Sequence, residues 1–202
     1  LSLPLAVAMA YVLARYRFWG HGLLNALVHL PLVLPPVVTG YLLLVVFGRK
    51  GTFGPVLEAL GAQLAFTSAG AALAAAVMAF PLIVRAIRLA IEAVDPRLEE
   101  AAGTLGASPI KVFVFVTLPL ILPGLVAGAV VGFAKALGEF GATITFVSNI
   151  PGETQTLASA IYAVLQVPGQ EAAVGRMIVL SLLLSFGALL LSEILARKMV
   201  HR

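Results

Sequence analysis

Residues 112–134 read VFVFVTLPLILPGLVAGAVVGFA, a run without one Asp, Glu, Lys or Arg. Such a run is long enough for an α-helix to cross a hydrocarbon core of roughly 30 Å. Immediately before it, from Arg85 to Lys111, lies the longest charged segment of the chain. Within that segment Asp95-Pro96 marks a helix start, because proline suits a first turn where its missing amide is not needed. Glu99 and Glu100 follow early in this helix, where negative charge complements the helix dipole. Ala101, Ala102 and Gly106 place small side chains at helical spacing. A face of that kind lets a helix seat closely in a groove of another protein. Pro109 is expected to end the turn.

The alternation of uncharged run and charged connection continues in both directions. Uncharged runs cover Phe18 to Gly48, Ala59 to Val84 and Met177 to Ser192, and a shorter one covers Leu1 to Ala14, closed by Arg15 and Arg17. The predicted fold is an all-α integral membrane protein of about five transmembrane helices, the first of them truncated. One membrane domain over residues 1–202 is expected, with a large polar loop at about 85–118. Residues 148–171, rich in Pro, Gly, Thr and Gln, read as a further loop with a short helix around Leu157 to Gln166.

Composition supports the bilayer as solvent. Hydrophobic residues make up 61% of the chain and charged residues 11%, against about 25% charged in soluble domains. Mean hydropathy is +1.07. The basic pI of about 9.8 follows from Lys and Arg gathered in cytoplasmic loops and does not call for a nucleic-acid partner. One set of alternate loops carries Arg15, Arg17, Arg85, Arg88, Arg97, Lys111, Arg197, Lys198 and Arg202; the opposite set carries Arg49 and Lys50. The first set, which includes the C-terminus, is therefore expected in the cytoplasm.

Several chemistries are excluded by what the sequence lacks. There is no cysteine, hence no disulfide and no thiolate metal site. No glycine-rich P-loop with its Lys-Ser/Thr pair occurs, and no His-Glu-x-x-His pair. His21, His29 and His201 stand apart from one another and read as surface or interfacial residues. No catalytic residue, cofactor site or metal site is expected in this chain, and a membrane-embedded enzyme is disfavoured.

The prolines are unusually placed. Pro31, Pro35 and Pro36 fall in the middle of the second span, Pro81 at the expected end of the third, and Pro119 and Pro123 at the start of the fourth. Proline removes an amide donor and kinks a helix. Broken membrane helices need protein or water around the freed carbonyls, so packing and a translocation path both fit. Candidate path groups are Thr39, Thr143, Thr145, Ser148 and Asn149, although Thr and Ser in membrane helices commonly bond their own backbone or a neighbouring helix. Lys135 and Glu139 lie four residues apart and can pair. Lys135 either faces an anion path or is held in an internal pair ordering the bend at Gly138 and Gly141; the pair is favoured, because Glu139 would neutralise much of the attraction for an anion. Glu193 and Arg197 form a second four-spaced pair, read as structural.

The order Glu100-Ala101-Ala102, three residues, Gly106, nine residues, Val116, one residue, Leu118-Pro119 resembles the EAA loop of binding-protein-dependent ABC importers, with Val116 where the family has Ile. The run from His29 to Tyr41, HLPLVLPPVVTGY, and the run from Leu137 to Thr154, LGEFGATITFVSNIPGET, look like those of molybdate permease subunits. Sulfate and thiosulfate permeases share much of this pattern, and tungstate is a further alternative cargo. The resemblance implies a type I ABC importer permease in the bacterial inner membrane. It implies that Glu100, Ala101, Ala102 and Gly106 contact the ATPase. It also implies a homodimer, two cytoplasmic ATPase subunits carrying ATP and Mg, an external oxyanion-binding protein, surrounding lipid and no nucleic acid. A channel or secondary transporter needing no ATPase is the more remote alternative, and it leaves the EAA order unexplained.

Overall fold

The structure is a computed structural model that describes residues 2–200, with side chains described for all of these except Ser192 and 195–200. The proposed partner of Glu193, Arg197, and the residues His201 and Arg202 lie outside the described side chains. Among the described residues the regular structure is entirely helical. In order the helices are α1 (Ser2–Arg15), α2 (His21–Val33), α3 (Pro36–Phe47), α4 (Gly54–Ala59), α5 (Ser68–Glu92), α6 (Pro96–Thr104) and α7 (Pro109–Val112). A π turn (Phe113–Thr117) leads from α7 into α8 (Leu118–Leu137), followed by α9 (Gly141–Val147), α10 (Leu157–Leu165) and α11 (Glu171–Val200).

Three continuous helical stretches are long and apolar enough to cross a bilayer: Ser68–Glu92, Pro109–Leu137 and Glu171–Leu191. The pair α2 and α3 is together long and apolar enough for a fourth, as a broken span or a re-entrant hairpin, and α1 is a shorter apolar helix of 14 residues. This agrees with the expected membrane architecture and refines it. The proline-rich second span is not one kinked helix; it breaks at Leu34-Pro35 and turns by 115°. The cause is local: Pro35 and Pro36 have no amide hydrogen to donate, and proline pushes the residue before it out of the helical region. Pro81 does not end its helix. It is fully buried inside α5, which runs on to Glu92.

Two compact units emerge, each assembled from separated stretches of chain. The first comprises residues 1–27, 80–132 and 188–202, the second 28–79 and 133–187. Leu13, Ile87, Ile91 and Ile121 are fully buried in the first unit. There α5 and α8 approach closely because glycine faces alanine. A Cβ at Gly124 would collide with that of Ala90, and one at Gly128 would lie 3.4 Å from that of Ala86. Small residues of this kind let membrane helices pack backbone to backbone, where lipid provides no hydrophobic drive.

The second unit centres on α3 and α9, with Leu43, Ala65, Ala74, Met78, Ala142, Phe146 and Val147 buried in one apolar cluster. A Cβ at Gly40 would lie 2.5 Å from the Ala142 carbonyl oxygen, and one at Gly141 2.7 Å from the Pro36 Cβ. Glycine at both points is what permits the contact. By contrast the stretches Pro109–Leu137 and Glu171–Leu191, which run through α8 and α11, are largely uncovered: in their most apolar parts 17% and 6% of residues are buried. Exposed side chains such as Leu182, Leu183, Phe186 and Leu189 form an apolar surface suited to lipid rather than water.

Candidate functional site

The loop at 85–118 folds into a short, well-terminated helix. Asp95 is the N-cap of α6, its carboxylate accepting from the Arg97 amide, and Pro96 follows in the first turn. At the other end the Gly106 amide bonds the Gly103 carbonyl at 2.9 Å and the Ala107 amide bonds the Ala102 carbonyl at 3.1 Å. This is the Schellman arrangement, which satisfies carbonyls the helix leaves open and requires a left-handed residue after the cap. Gly106 supplies it, with φ of 85°. Its role therefore differs from the expected one. Gly106 is not on the small-residue face of the helix, because α6 ends at Thr104; it forms the stop. Pro109 also differs from expectation: it opens α7 instead of ending the preceding turn.

No residue of α6 is buried. Glu100, Ala101 and Gly106 are exposed and Ala102 is half-buried. Leu105 is 89% exposed and Ile110 77%. The expected docking residues thus stand on an open surface bearing small, apolar and acidic groups.

On its inner side the loop is fastened to the rest of the first unit through Glu99. Its Oε2 pairs with Arg15 Nη2 at 3.1 Å, and its Oε1 accepts from the Thr117 hydroxyl at 2.6 Å. Arg15 Nη2 also reaches the Val94 carbonyl at 3.4 Å. Thr117 is fully buried and closes the π turn. Pro119 accounts for part of that irregularity, since it cannot donate to the Phe115 carbonyl. Sequence reading placed Glu99 correctly near the helix start but gave it only a dipole role. Its partners lie 18 and more residues away in sequence, where no local pattern points to them.

The expected path residues all fall in the second unit. Lys135 Nζ and Glu139 Oε2 form an ion pair at 2.7 Å, so the internal pair, favoured on sequence, is present. Glu139 is 1% exposed, and its other oxygen accepts from the Ala142 amide at 2.9 Å. The carboxylate thus lies past the end of α8 and anchors the first turn of α9. Thr143 donates to the Phe140 carbonyl at 2.9 Å and Thr145 to the Gly141 carbonyl at 2.8 Å; both hydroxyls are spent on their own helix. Asn149 accepts from the Ser159 hydroxyl at 2.9 Å and donates to the Ser159 carbonyl. Ser159 in turn forms a capping box with Thr156 at the start of α10, a Thr-x-x-Ser signal that was legible in the sequence and missed. Ser148 is exposed, with φ of 66° and ψ of −158°. Thr39 is different: it is 5% exposed and its hydroxyl has no hydrogen-bond partner among the described residues. No group of three or more His, Asp or Glu able to hold a metal occurs among the described residues.

Comparison with known proteins gives this geometry its context. The family described as "Binding-protein-dependent transport system inner membrane component" matches residues 2–201. The molybdenum transport system permease protein of Haemophilus influenzae is 56% identical over 98% of this chain and 87% of its own length. That of Escherichia coli strain K12 is 57% identical over 97% and 86%. The sulfate transport system permease protein of Salmonella typhimurium is more distant, 37% identical over 95% and 70%. The inward-facing MetNI methionine ABC transporter superposes with a TM-score of 0.72 over 98% of this chain and 86% of that one, at 18% identity, a likeness of fold. The exposed, capped helix between two membrane spans, the ABC importer fold and a family match over nearly every residue agree: the chain belongs to the binding-protein-dependent transport system inner membrane components.

Proposed function

We propose that this chain is the membrane permease subunit of an ABC importer that carries molybdate into the cytoplasm, driven by ATP hydrolysed on a separate subunit. The observation that carries the mechanism is the loop helix α6, capped at both ends yet with no residue buried. A rigid, uncovered helix is suited to fit a cleft on another protein and to pass on its movement. Molybdate as cargo is supported by 57% identity to a molybdenum permease against 37% to a sulfate permease.

In this reading two copies of the chain surround the path. Two ATPase subunits carrying ATP and Mg dock on Glu100, Ala101, Ala102 and the Gly106 turn, and an external binding protein delivers the anion. Loop 85–118 and the C-terminus face the cytoplasm, and residues 1–202 act as one transmembrane domain. The chain itself performs no catalysis. A divalent oxyanion is very costly in hydrocarbon, so the path must offer donors that hold it weakly enough to release it. Of the groups named from sequence, Thr39 has a hydroxyl to spare, whereas Thr143, Thr145 and Asn149 are engaged. Lys135 is paired and contributes through the placement of α9.

Deletion in the source bacterium tests the cargo. Loss of molybdenum-enzyme activity that returns when excess molybdate is supplied supports the assignment. Sulfur auxotrophy with molybdenum enzymes intact would move the cargo to sulfate or thiosulfate.

A further inference from the structure

Both oxygens of the Glu99 carboxylate are committed, and to different elements. Arg15, at the end of α1, holds one and Thr117, the last residue of the π turn that leads into α8, holds the other. Glu99 itself sits in the first turn of α6, and Arg15 reaches back to the Val94 carbonyl just before α6 begins. The side chains of Arg15 and Glu99 are 18% and 16% exposed, and Thr117 is fully buried, so water competes weakly for these bonds. One further contact joins the same elements: the rings of Tyr11 on α1 and Phe113 in the π turn meet edge to face at 5.1 Å.

The backbone beside this junction is the least regular part of the span. Phe113–Thr117 forms a π turn, and the Leu118 amide bonds the Phe113 carbonyl. Widened turns of this kind frequently occur at functional sites. A loop helix joined to the spans only by its flanking backbone would lose much of any applied displacement in bending those links. A charged fork that grips α1 and α8 together gives the displacement a second, stiffer route. Glu99 lies beside the docking residue Glu100 but on the half-buried side, whereas Glu100 is exposed.

We propose that Glu99 is a positioning residue for transport: through Arg15 and Thr117 it couples movement of α6 to α1 and α8 together, while Glu100 and the small residues dock the ATPase. This rests on the proposed importer function. The carboxylate acts by holding geometry; no proton or electron transfer is involved.

The test is the ratio of ATP hydrolysed to oxyanion imported in proteoliposomes holding the permease, its ATPase and its binding protein. Glu99→Gln, which removes the charge and keeps the shape, is expected to leave ATPase assembly and hydrolysis within about twofold while raising the ratio about tenfold. Thr117→Val, which leaves the ion pair in place and guards against a folding defect in the first variant, is expected to raise it about threefold. Exchanging the charges, Arg15→Glu with Glu99→Arg, is expected to recover part of the lost uptake. A wild-type ratio in Glu99→Gln and Thr117→Val would overturn the proposal. So would uptake and hydrolysis falling in equal proportion, the signature of lost docking or lost protein. The ratio is read on whichever oxyanion the wild type imports, so an error in the cargo shows in the wild type and an error here shows only in the variants.

Discussion

Glu139 shows how a buried charge just past the end of an apolar span can be structural. Its two oxygens serve Lys135 Nζ and the Ala142 amide. Truncating it would strand the Lys135 ammonium, which is 28% exposed, and unpin the first turn of α9. Glu139→Ala is expected to destabilise the protein by about 3 kcal/mol, read as a lowered melting temperature in detergent. Lys135→Ala should cost at least as much, since it leaves the 1% exposed Glu139 carboxylate with only the Ala142 amide to hold it. Ser148 carries the opposite expectation. At φ of 66° and ψ of −158° it occupies a region that only glycine enters freely, a strain of about 1–3 kcal/mol. Ser148→Gly should therefore raise the melting temperature; an unchanged or lowered value would show that its hydroxyl does something the glycine cannot. The Lys135–Glu139 pair was legible because its spacing is one helical turn. The Arg15–Glu99–Thr117 junction was not, because three distant stretches meet only after folding.

At the scale of elements, α6 is defined by its ends. The start was readable from Asp95-Pro96, and the N-cap bond confirms it. The stop was misread, because periodicity cannot distinguish a glycine continuing a small-residue face from one turning the chain at φ of 85°. Gly106→Ala meets no steric neighbour within 4 Å, so its effect isolates the backbone strain of about 1–2 kcal/mol. It should fray the end of α6 and weaken copurification of the ATPase, with little change in the membrane helices by circular dichroism. Asp95→Ala should cost about 1 kcal/mol of local helix stability, visible as faster amide exchange in the first turn of α6. The break between α2 and α3 was partly legible. Three prolines announced a disruption, but no local pattern gives its 115° size or the close seat of α3 on α9 at Gly40 and Gly141.

For the whole molecule, composition was the most informative signal. With 61% hydrophobic residues the chain has too little polar surface for water, and the largely uncovered stretches through α8 and α11 are the structural counterpart. Nine cations on one set of loops against Arg49 and Lys50 on the other predict an internal C-terminus; a fluorescent reporter fused there should mature in the cytoplasm, and an alkaline phosphatase fused there should stay inactive. Transport itself is best examined with purified permease, its ATPase and its binding protein in proteoliposomes, by following molybdate uptake with sulfate as competitor. The expected result is uptake that requires ATP, withstands excess sulfate and collapses in Gly106→Glu; uptake that proceeds without the ATPase, or persists in that variant, would contradict an importer driven through the α6 loop.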